Sequence, residues 1–365
     1  MLTPAFHFNI LRQFIDVFNV QSQILVDVLQ SDERFHNKEV DLFPVMKRCA
    51  LDIICESAMG CSVRSQRSPD AVYVESVSKL NEIAFLVQRM PWLRIPIIWQ
   101  LSSTSSQFNY HLNLVKSFTQ QVILQRKKER EREEEAPSNE KKRKAFLDLL
   151  LDIQSEFGLS DEDIREEVDT FMFEGHDTTA VAMGWAVWNV AYHPIVQERI
   201  QEELRRVFGN SNRPCTVEDL KELRYLEKVI KESLRKFPSV PNITRIVNED
   251  TTLNGVVIPE GCTILVSPAV LHHNPRTYED PEAFDPDRFD EEKVAARPAF
   301  SFIPFSAGQR NCIGQRFAMM EEKAVLSTFF RHFSVSPSRP LSDNIPCPEI
   351  TNKPFIGFPL YIHSR

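Results

Sequence analysis

The chain has 365 residues, of which 42% are hydrophobic and 26% charged; it can bury a substantial core as one large domain or two, and it is not a disordered protein. Its formal net charge of −8 argues against a general nucleic-acid binder. Seven cysteines, at positions 49, 55, 61, 215, 262, 312 and 347, are odd in number and follow neither a metal-site nor a disulfide-framework spacing, so a reducing compartment is the simpler inference.

In chain order, Met1-Leu2-Thr3-Pro4-Ala5-Phe6 does not read as a signal peptide, and no apolar run approaches bilayer-spanning length; no membrane anchor is expected in the chain. Residues 8–30 and 39–59 place apolar groups at helical spacing, and Gln107 to Arg132 reads as another helix ending in mixed charge. Residues 125–144 carry Arg126-Lys127-Lys128-Glu129-Arg130 and Lys141-Lys142-Arg143-Lys144 around Pro137-Ser138-Asn139; they are expected as a charged exposed loop at a solvated helix end. Ser160-Asp161-Glu162-Asp163 has the form of a capping box and predicts one long helix over 161–192, ending before His193-Pro194. After residue 240, β-branched runs such as Thr263-Ile264-Leu265-Val266 and Pro-rich connections predict a small sheet and irregular loops. No internal repeat is present. The expected class is mainly α with a small β portion in a single domain, helical over 1–235, with strands, a cysteine loop and a C-terminal helix over 236–365.

Three groups of residues carry chemistry. The first lies in the long helix, at Phe171-Met172-Phe173-Glu174-Gly175-His176-Asp177-Thr178-Thr179-Ala180. Glu174, Asp177 and Thr178 are spaced i, i+3, i+4 and are predicted to share a face; such groups are costly to bury in an apolar helix without a role. Gly175 and the paired threonines weaken regular helix hydrogen bonding and could open a groove able to hold dioxygen and water. The alternative is a polar patch facing solvent or a helix junction. The second group, Lys231-Glu232-Ser233-Leu234-Arg235, sets Glu232 and Arg235 at i, i+3; on an exposed helix such a pair stabilises by only about 0.2–0.5 kcal/mol.

The third is Phe305-Ser306-Ala307-Gly308-Gln309-Arg310-Asn311-Cys312-Ile313-Gly314. Gln315 to His332 lacks Pro and Gly and repeats apolar positions at helical spacing, so Cys312 is predicted at a helix N-terminus, where N–H groups and the helix dipole should lower a thiol pKa. Gly308 and Gly314 permit backbone shapes and approaches that a Cβ would forbid. A large flat metal macrocycle could lie against such a loop, and a cysteine thiolate is a standard axial ligand of haem iron. An isolated Cys is also commonly a small buried hydrophobe. A thiol-based redox role for Cys312 is disfavoured because no resolving Cys lies close in sequence.

Phe305, Gly308, Arg310, Cys312 and Gly314 together resemble the haem-binding signature of the cytochrome P450 monooxygenases. Asp177-Thr178 after a Gly-x pair resembles the oxygen-activating segment of that family, and Glu174-Gly175-His176-Asp177-Thr178-Thr179 is similar to the run in family 4, the fatty-acid ω-hydroxylase group. The resemblance extends upstream to Met1–Phe8 and to Cys49–Glu56, nearest the 4V type, and covers essentially the whole chain. It implies a cytochrome P450 fold lacking its N-terminal part, since family members carry an anchor, early helices, part of a first sheet and a propionate-binding Trp/Arg helix before the segment that begins here.

By this resemblance Cys312 would ligate the iron of haem b, with Phe305 and Gly314 completing the loop and Arg310 and Arg245 contacting propionates. Thr178 would handle oxygen and Asp177 would relay protons. Glu174 matches the residue that in family 4 can become esterified to a haem methyl. Glu232 and Arg235 would lock to Arg288 of Phe284-Asp285-Pro286-Asp287-Arg288-Phe289, with Asp287 replacing the commoner glutamate; this triad positions the cysteine loop. The implied activity is hydroxylation of a long apolar substrate such as a fatty acid, using O2 and electrons from NADPH through NADPH-cytochrome P450 reductase, with cytochrome b5 as a further partner. Arg316 and Lys323 are candidates for docking that reductase, or ordinary surface charges. The implied location is the cytosolic face of the endoplasmic reticulum membrane, with peripheral contact. The alternative function is a non-catalytic product of the same fold with weak or no haem binding.

Overall fold

Helix-forming runs take up most of the chain in a computed structural model, which describes residues 12–31, 35, 38–68, 72–135 and 145–365. The resemblance at Met1–Phe8 and the stretch 136–144 lie outside those residues. The helices are α1 (Ile15–Ser31), α2 (Phe43–Ile54), α3 (Val72–Arg89), α4 (Pro96–Leu101), α5 (Ser103–Glu135), α6 (Phe146–Phe157), α7 (Asp161–Ala191), α8 (Pro194–Phe208), α9 (Val217–Glu222), α10 (Arg224–Lys236), α11 (Pro268–Leu271), α12 (Glu291–Ala296) and α13 (Gln315–His332). The mainly α class with a small β portion is thus observed. Among the described residues no helix is long and apolar enough to cross a membrane.

The capping box at Ser160 forms as its spacing requires: Ser160 Oγ accepts the Asp163 N–H at 3.1 Å and Asp163 returns a bond to the Ser160 N–H at 2.8 Å. From there α7 runs through the core, buried on every side from Thr179 to Ala191. Its most extensive partner is α2. The close approach is set by Gly175, where a Cβ would fall 2.7 Å from Ile54. Further along, a Cβ on Gly184 would lie 2.0 Å from the Phe358 ring, which itself packs edge-on against Trp185 at 5.1 Å. The second large interface joins α13 to α1, where Phe317 meets Phe14 and Phe18 at 5.6 and 5.2 Å.

The charged run from 125 departs from the expected loop. It is helical through Glu135, and Arg126 is buried, making bonds of 2.7 and 3.0 Å to Asp148 at the start of α6. A carboxylate supplied from a distant element makes burial of the guanidinium tolerable, which local charge density cannot foretell.

Among the described residues, four small antiparallel sheets complete the fold. β1 (Val40–Asp41), β9 (Pro359–Ser364) and β6 (Phe333–Pro337) form a three-stranded sheet in that order. β2 (Ile243–Ile246) pairs with β5 (Thr263–Val266), the run read from sequence, with Arg245 opposite Ile264. β3 (Thr251–Leu253) pairs with β4 (Val256–Ile258), and β7 (Pro346–Pro348) with β8 (Asn352–Pro354).

Candidate functional site

The cysteine loop is held by its own backbone. The Ile303 carbonyl accepts the Ser306 N–H at 3.0 Å, the Gly308 carbonyl accepts the Asn311 N–H at 3.2 Å, and the Phe305 carbonyl accepts the Cys312 N–H at 2.9 Å. Ser306 and Gly308 both sit at positive φ, +62° and +79°. At Gly308 a side chain would be strained although nothing lies within 4 Å to block it. The loop therefore closes into a ring that delivers Cys312 just before α13.

There the Gly314 and Gln315 N–H groups favour a negative charge on the Cys312 sulfur. A Cβ on Gly314 would meet only that sulfur, at 3.8 Å, so this side of the loop is open. The pKa expectation is reversed. Cys312 is exposed, yet it lies against enough protein for desolvation to raise its thiol pKa, and Glu174 adds negative charge; the two N–H groups oppose this and lose. Water can reach an atom at the foot of a cleft while most of its surroundings are protein. Cys49, Cys55, Cys61 and Cys215, by contrast, are buried free thiols.

α7 packs against α13 and brings the charge of Glu174 within reach of Cys312. Glu174 is exposed and Thr178 half-buried, and Thr178 Oγ1 donates to the Glu174 carbonyl at 2.7 Å. Desolvation, then the charge of Glu167, raises the Glu174 pKa. Asp177 does not share their face. It is wholly buried, with its carboxylate 2.8 Å from the Lys47 ammonium of α2, 2.7 Å from the Thr351 hydroxyl and 3.3 Å from the Asn81 amide of α3. Burial alone would raise its pKa, but Lys47, His176 and Lys353 bring it down to about 2. One residue of helix rotation separates Asp177 from Thr178, and α2 and α3 supply the cation and amide that draw it inward. Thr179, next along, donates to the buried Glu321 of α13 at 3.2 Å.

Glu232 and Arg235 on α10 are both fully buried and paired bidentately at 2.8 and 2.9 Å, unlike an exposed helix pair. Arg288 Nε lies 3.4 Å from the same carboxylate, and Glu232 also accepts the Asp285 N–H at 2.9 Å. The three residues predicted as a set are therefore in contact. Asp287 takes no part in it; its partner is Arg199 of α8, at 2.7 and 2.9 Å.

Arg245 and Arg310 are exposed and adjacent, Arg245 Nη2 donating to the Arg310 carbonyl at 3.4 Å. Of the two cations considered for docking, Arg316 is exposed, whereas Lys323 is buried with its ammonium 2.8 Å from Glu227. Lys323 is thus a structural ion pair and not a surface charge.

Sequence reasoning missed Lys47, Asn81, Thr351 and Glu321. A lysine among Met46, Ala50, Leu51 and Ile54 on one helix was a usable signal for Lys47. Glu321-Glu322-Lys323 reads as an ordinary solvated run and offers none.

This donor set fits a haem. Cys312 has an accessible sulfur ahead of a helix N-terminus, and a single cysteine thiolate is enough to hold a metal that sits in a macrocycle. The open side of Gly314 and the exposed Arg245 and Arg310, joined through the Arg310 carbonyl, suit a flat group with carboxylates at its edge.

The family model "Cytochrome P450" matches residues 1–354. The chain belongs to the cytochrome P450 family. It is 45% identical over 349 residues to human cytochrome P450 4V2, covering 93% of this chain and 66% of that protein, and 44% identical over 350 residues to cytochrome P450 4c3 of Drosophila melanogaster, covering 92% and 65%. Cytochrome P450 4c21 of Blattella germanica is 40% identical, with 100% of this chain and 74% of that protein covered. The chain thus spans slightly less than two thirds of the human and Drosophila 4c3 cytochromes P450. These relatives are all family 4 cytochromes P450, in keeping with the likeness read at Glu174–Thr179.

Proposed function

We propose that this chain is a haem-thiolate monooxygenase that hydroxylates a long apolar substrate of fatty-acid type. The observation that carries the reading is the ring-closed loop presenting an accessible Cys312 sulfur at the start of α13, near enough to Glu174 of α7 for its charge to act on the thiol. Haem bound by Cys312 would supply the chemistry that splits dioxygen and places one oxygen atom in a C–H bond, with electrons from NADPH through a reductase and cytochrome b5 as an additional donor.

The protein's own residues do the rest. Cys312 gives up its proton on metal binding, and the Gly314 and Gln315 N–H groups stabilise the resulting anion. Arg245 and Arg310 pair with the carboxylates of the group and fix its orientation. The Thr178 hydroxyl, donating to the Glu174 carbonyl, keeps lone pairs to accept a hydrogen bond from the reaction side. Asp177, ionised behind it, takes and returns protons only when Lys47 or Thr351 releases it. Glu174, exposed and with a raised pKa, would be the group for an ester to a haem methyl, which would give up a hydrogen in a two-electron oxidation supplied by dioxygen; fully acid-extractable haem would argue against that link.

A peripheral membrane contact belongs to the same reading. Trp92, Ile95, Ile97 and Leu101 are all exposed along the Pro91–Arg94 turn and α4, with Arg89 and Arg94 beside them, the composition of an interfacial anchor. Ile97→Asp with Leu101→Asp should cut co-sedimentation with anionic vesicles severalfold; unchanged co-sedimentation would remove this face from the membrane. The family resemblance puts that contact on the cytosolic face of the endoplasmic reticulum membrane.

The deciding measurement is the reduced, CO-bound spectrum of the haem-replete chain. A red-shifted Soret band lost in Cys312→Ala is expected. Its absence from the unmutated chain would leave a non-catalytic product of the same fold as the better reading.

A further inference from the structure

We infer that His272 is a positioning residue for Cys312, a strut through which the buried Glu232–Arg235 pair holds the start of the cysteine loop. This rests on the proposed thiolate role of Cys312, and it adds a residue outside the Glu232, Arg235 and Arg288 set.

His272 is wholly buried and faces two ways. Its carbonyl accepts Arg235 Nη1 at 3.0 Å, which ties it to the ion pair. Its ring nitrogen Nε2 accepts the Ile303 N–H at 2.9 Å, which ties it to the chain entering the loop. A backbone amide can only donate, so Nε2 must carry a lone pair and the proton sits on Nδ1. Burial, with Arg235 nearby, pulls the ring's pKa down to about 4, so this acceptor persists at neutral pH. Phe302 lies against the ring at 5.2 Å, with Phe289 behind it at 4.8 Å, and these fix the imidazole plane.

From Ile303 the path to the sulfur is short. The Ile303 carbonyl accepts the Ser306 N–H, making the turn in which Ser306 takes positive φ, and the Phe305 carbonyl then accepts the Cys312 N–H. A second strut runs parallel. Arg235 lies 5.2 Å from the Tyr278 ring, whose hydroxyl donates to the Ser301 carbonyl at 3.1 Å. The His272 strut is the one that reaches the residue at which the loop begins to turn. Without it the Ile303 N–H loses its partner, and the tie from the buried ion pair to the loop runs through Ser301.

The test compares His272→Gln with His272→Asn in the full chain. The Gln amide oxygen can reach the place of Nε2, whereas the Asn oxygen falls about one methylene short, near the place of Nδ1. Hydrogen exchange followed by mass spectrometry reads the segment 301–312. The Asn variant should exchange there on the order of tenfold faster, with α7 protection unchanged, and the Gln variant should match the unmutated chain. In the haem-replete chain the Asn variant should also lose its thiolate Soret band faster on standing than the Gln variant does. Equal exchange over 301–312 in both variants and the unmutated chain would overturn the proposal, as would an increase spread evenly over α7 and α10 in both variants, which would make His272 a general core residue. Exchange needs no haem. If the unmutated chain gives no thiolate Soret band, the monooxygenase reading fails while the exchange comparison still decides whether His272 holds the loop.

Discussion

Replacing Lys47 by Met would strand the Asp177 carboxylate. Met keeps an unbranched stem of similar length, so packing against Phe43 should largely survive while the ammonium 2.8 Å from Asp177 is lost. The Thr351 hydroxyl and the Asn81 amide remain, but neither carries charge. Asp177 sits at about 2 against an ordinary 3.8, a difference corresponding to about 2.5 kcal/mol in favour of the charged form. Stranding a buried charge typically costs about 3–5 kcal/mol, and that is the loss expected near pH 7.

The pH dependence gives a sharper signature. In the unmutated chain the depressed pKa of Asp177 contributes stability above its unfolded value, and this is lost as pH falls toward 2. In Lys47→Met, burial acts with less opposition, the pKa rises above the unfolded value, and the sign reverses: the contribution is present at low pH and lost as pH rises. The stability gap should therefore be widest near neutrality and narrow toward about pH 4. Urea unfolding across that range, read by fluorescence of the buried Trp185 and Trp188, measures it. Adding Asp177→Asn should recover most of the loss, because it removes the stranded charge. A loss below about 1 kcal/mol, or a gap independent of pH, would refute the assignment of Asp177 as an anion held by Lys47.

Glu232→Ala, which leaves Arg235 buried without an anion, should cost about 3–5 kcal/mol in urea unfolding. Asp287→Asn, in the partly exposed pair with Arg199, should cost no more than about 1 kcal/mol; equal losses would contradict the difference in burial. Glu321 should be a neutral acid at pH 7, because burial first, and its nearness to a second carboxyl on Glu322, push its pKa far up; burial likewise takes Glu322 to about 8. Infrared difference spectra of Glu321→Gln should lose a protonated-carboxyl stretch, and the absence of that loss would count against the neutral form.

The site was legible where its signal was local. The capping box at Ser160 fixes the start of α7, the Pro- and Gly-free run after Gly314 fixes α13, and the glycine-containing loop between marks Cys312. What could not be read depends on contacts between distant segments. Asp177 was expected beside Glu174 because i, i+3 spacing is a statement about one helix, whereas its direction is set by Lys47 and Thr351, which lie 130 and 174 residues away. The thiol pKa was misjudged for a related reason: the helix terminus is visible in sequence, while the mass of protein around it and the charge on Glu174 are not. Arg126 and Lys323 looked like solvated charges until their acids arrived from α6 and α10.

The three-stranded sheet has a kinetic consequence. β9 pairs with β6 across a short stretch of chain, Pro337 to Leu360, but with β1 across a very long one, Val40 to Leu360. The ribbon of β6 and β9 can form early, whereas β1, two residues long, docks only after some 320 residues have been gathered in, a late and slow event by loop-closure entropy. Contacts made after the rate-limiting barrier are also those whose loss quickens unfolding without slowing folding. Val40 and Asp41, far in sequence from the cysteine loop, would thus govern how long the folded chain lasts more than how fast it forms.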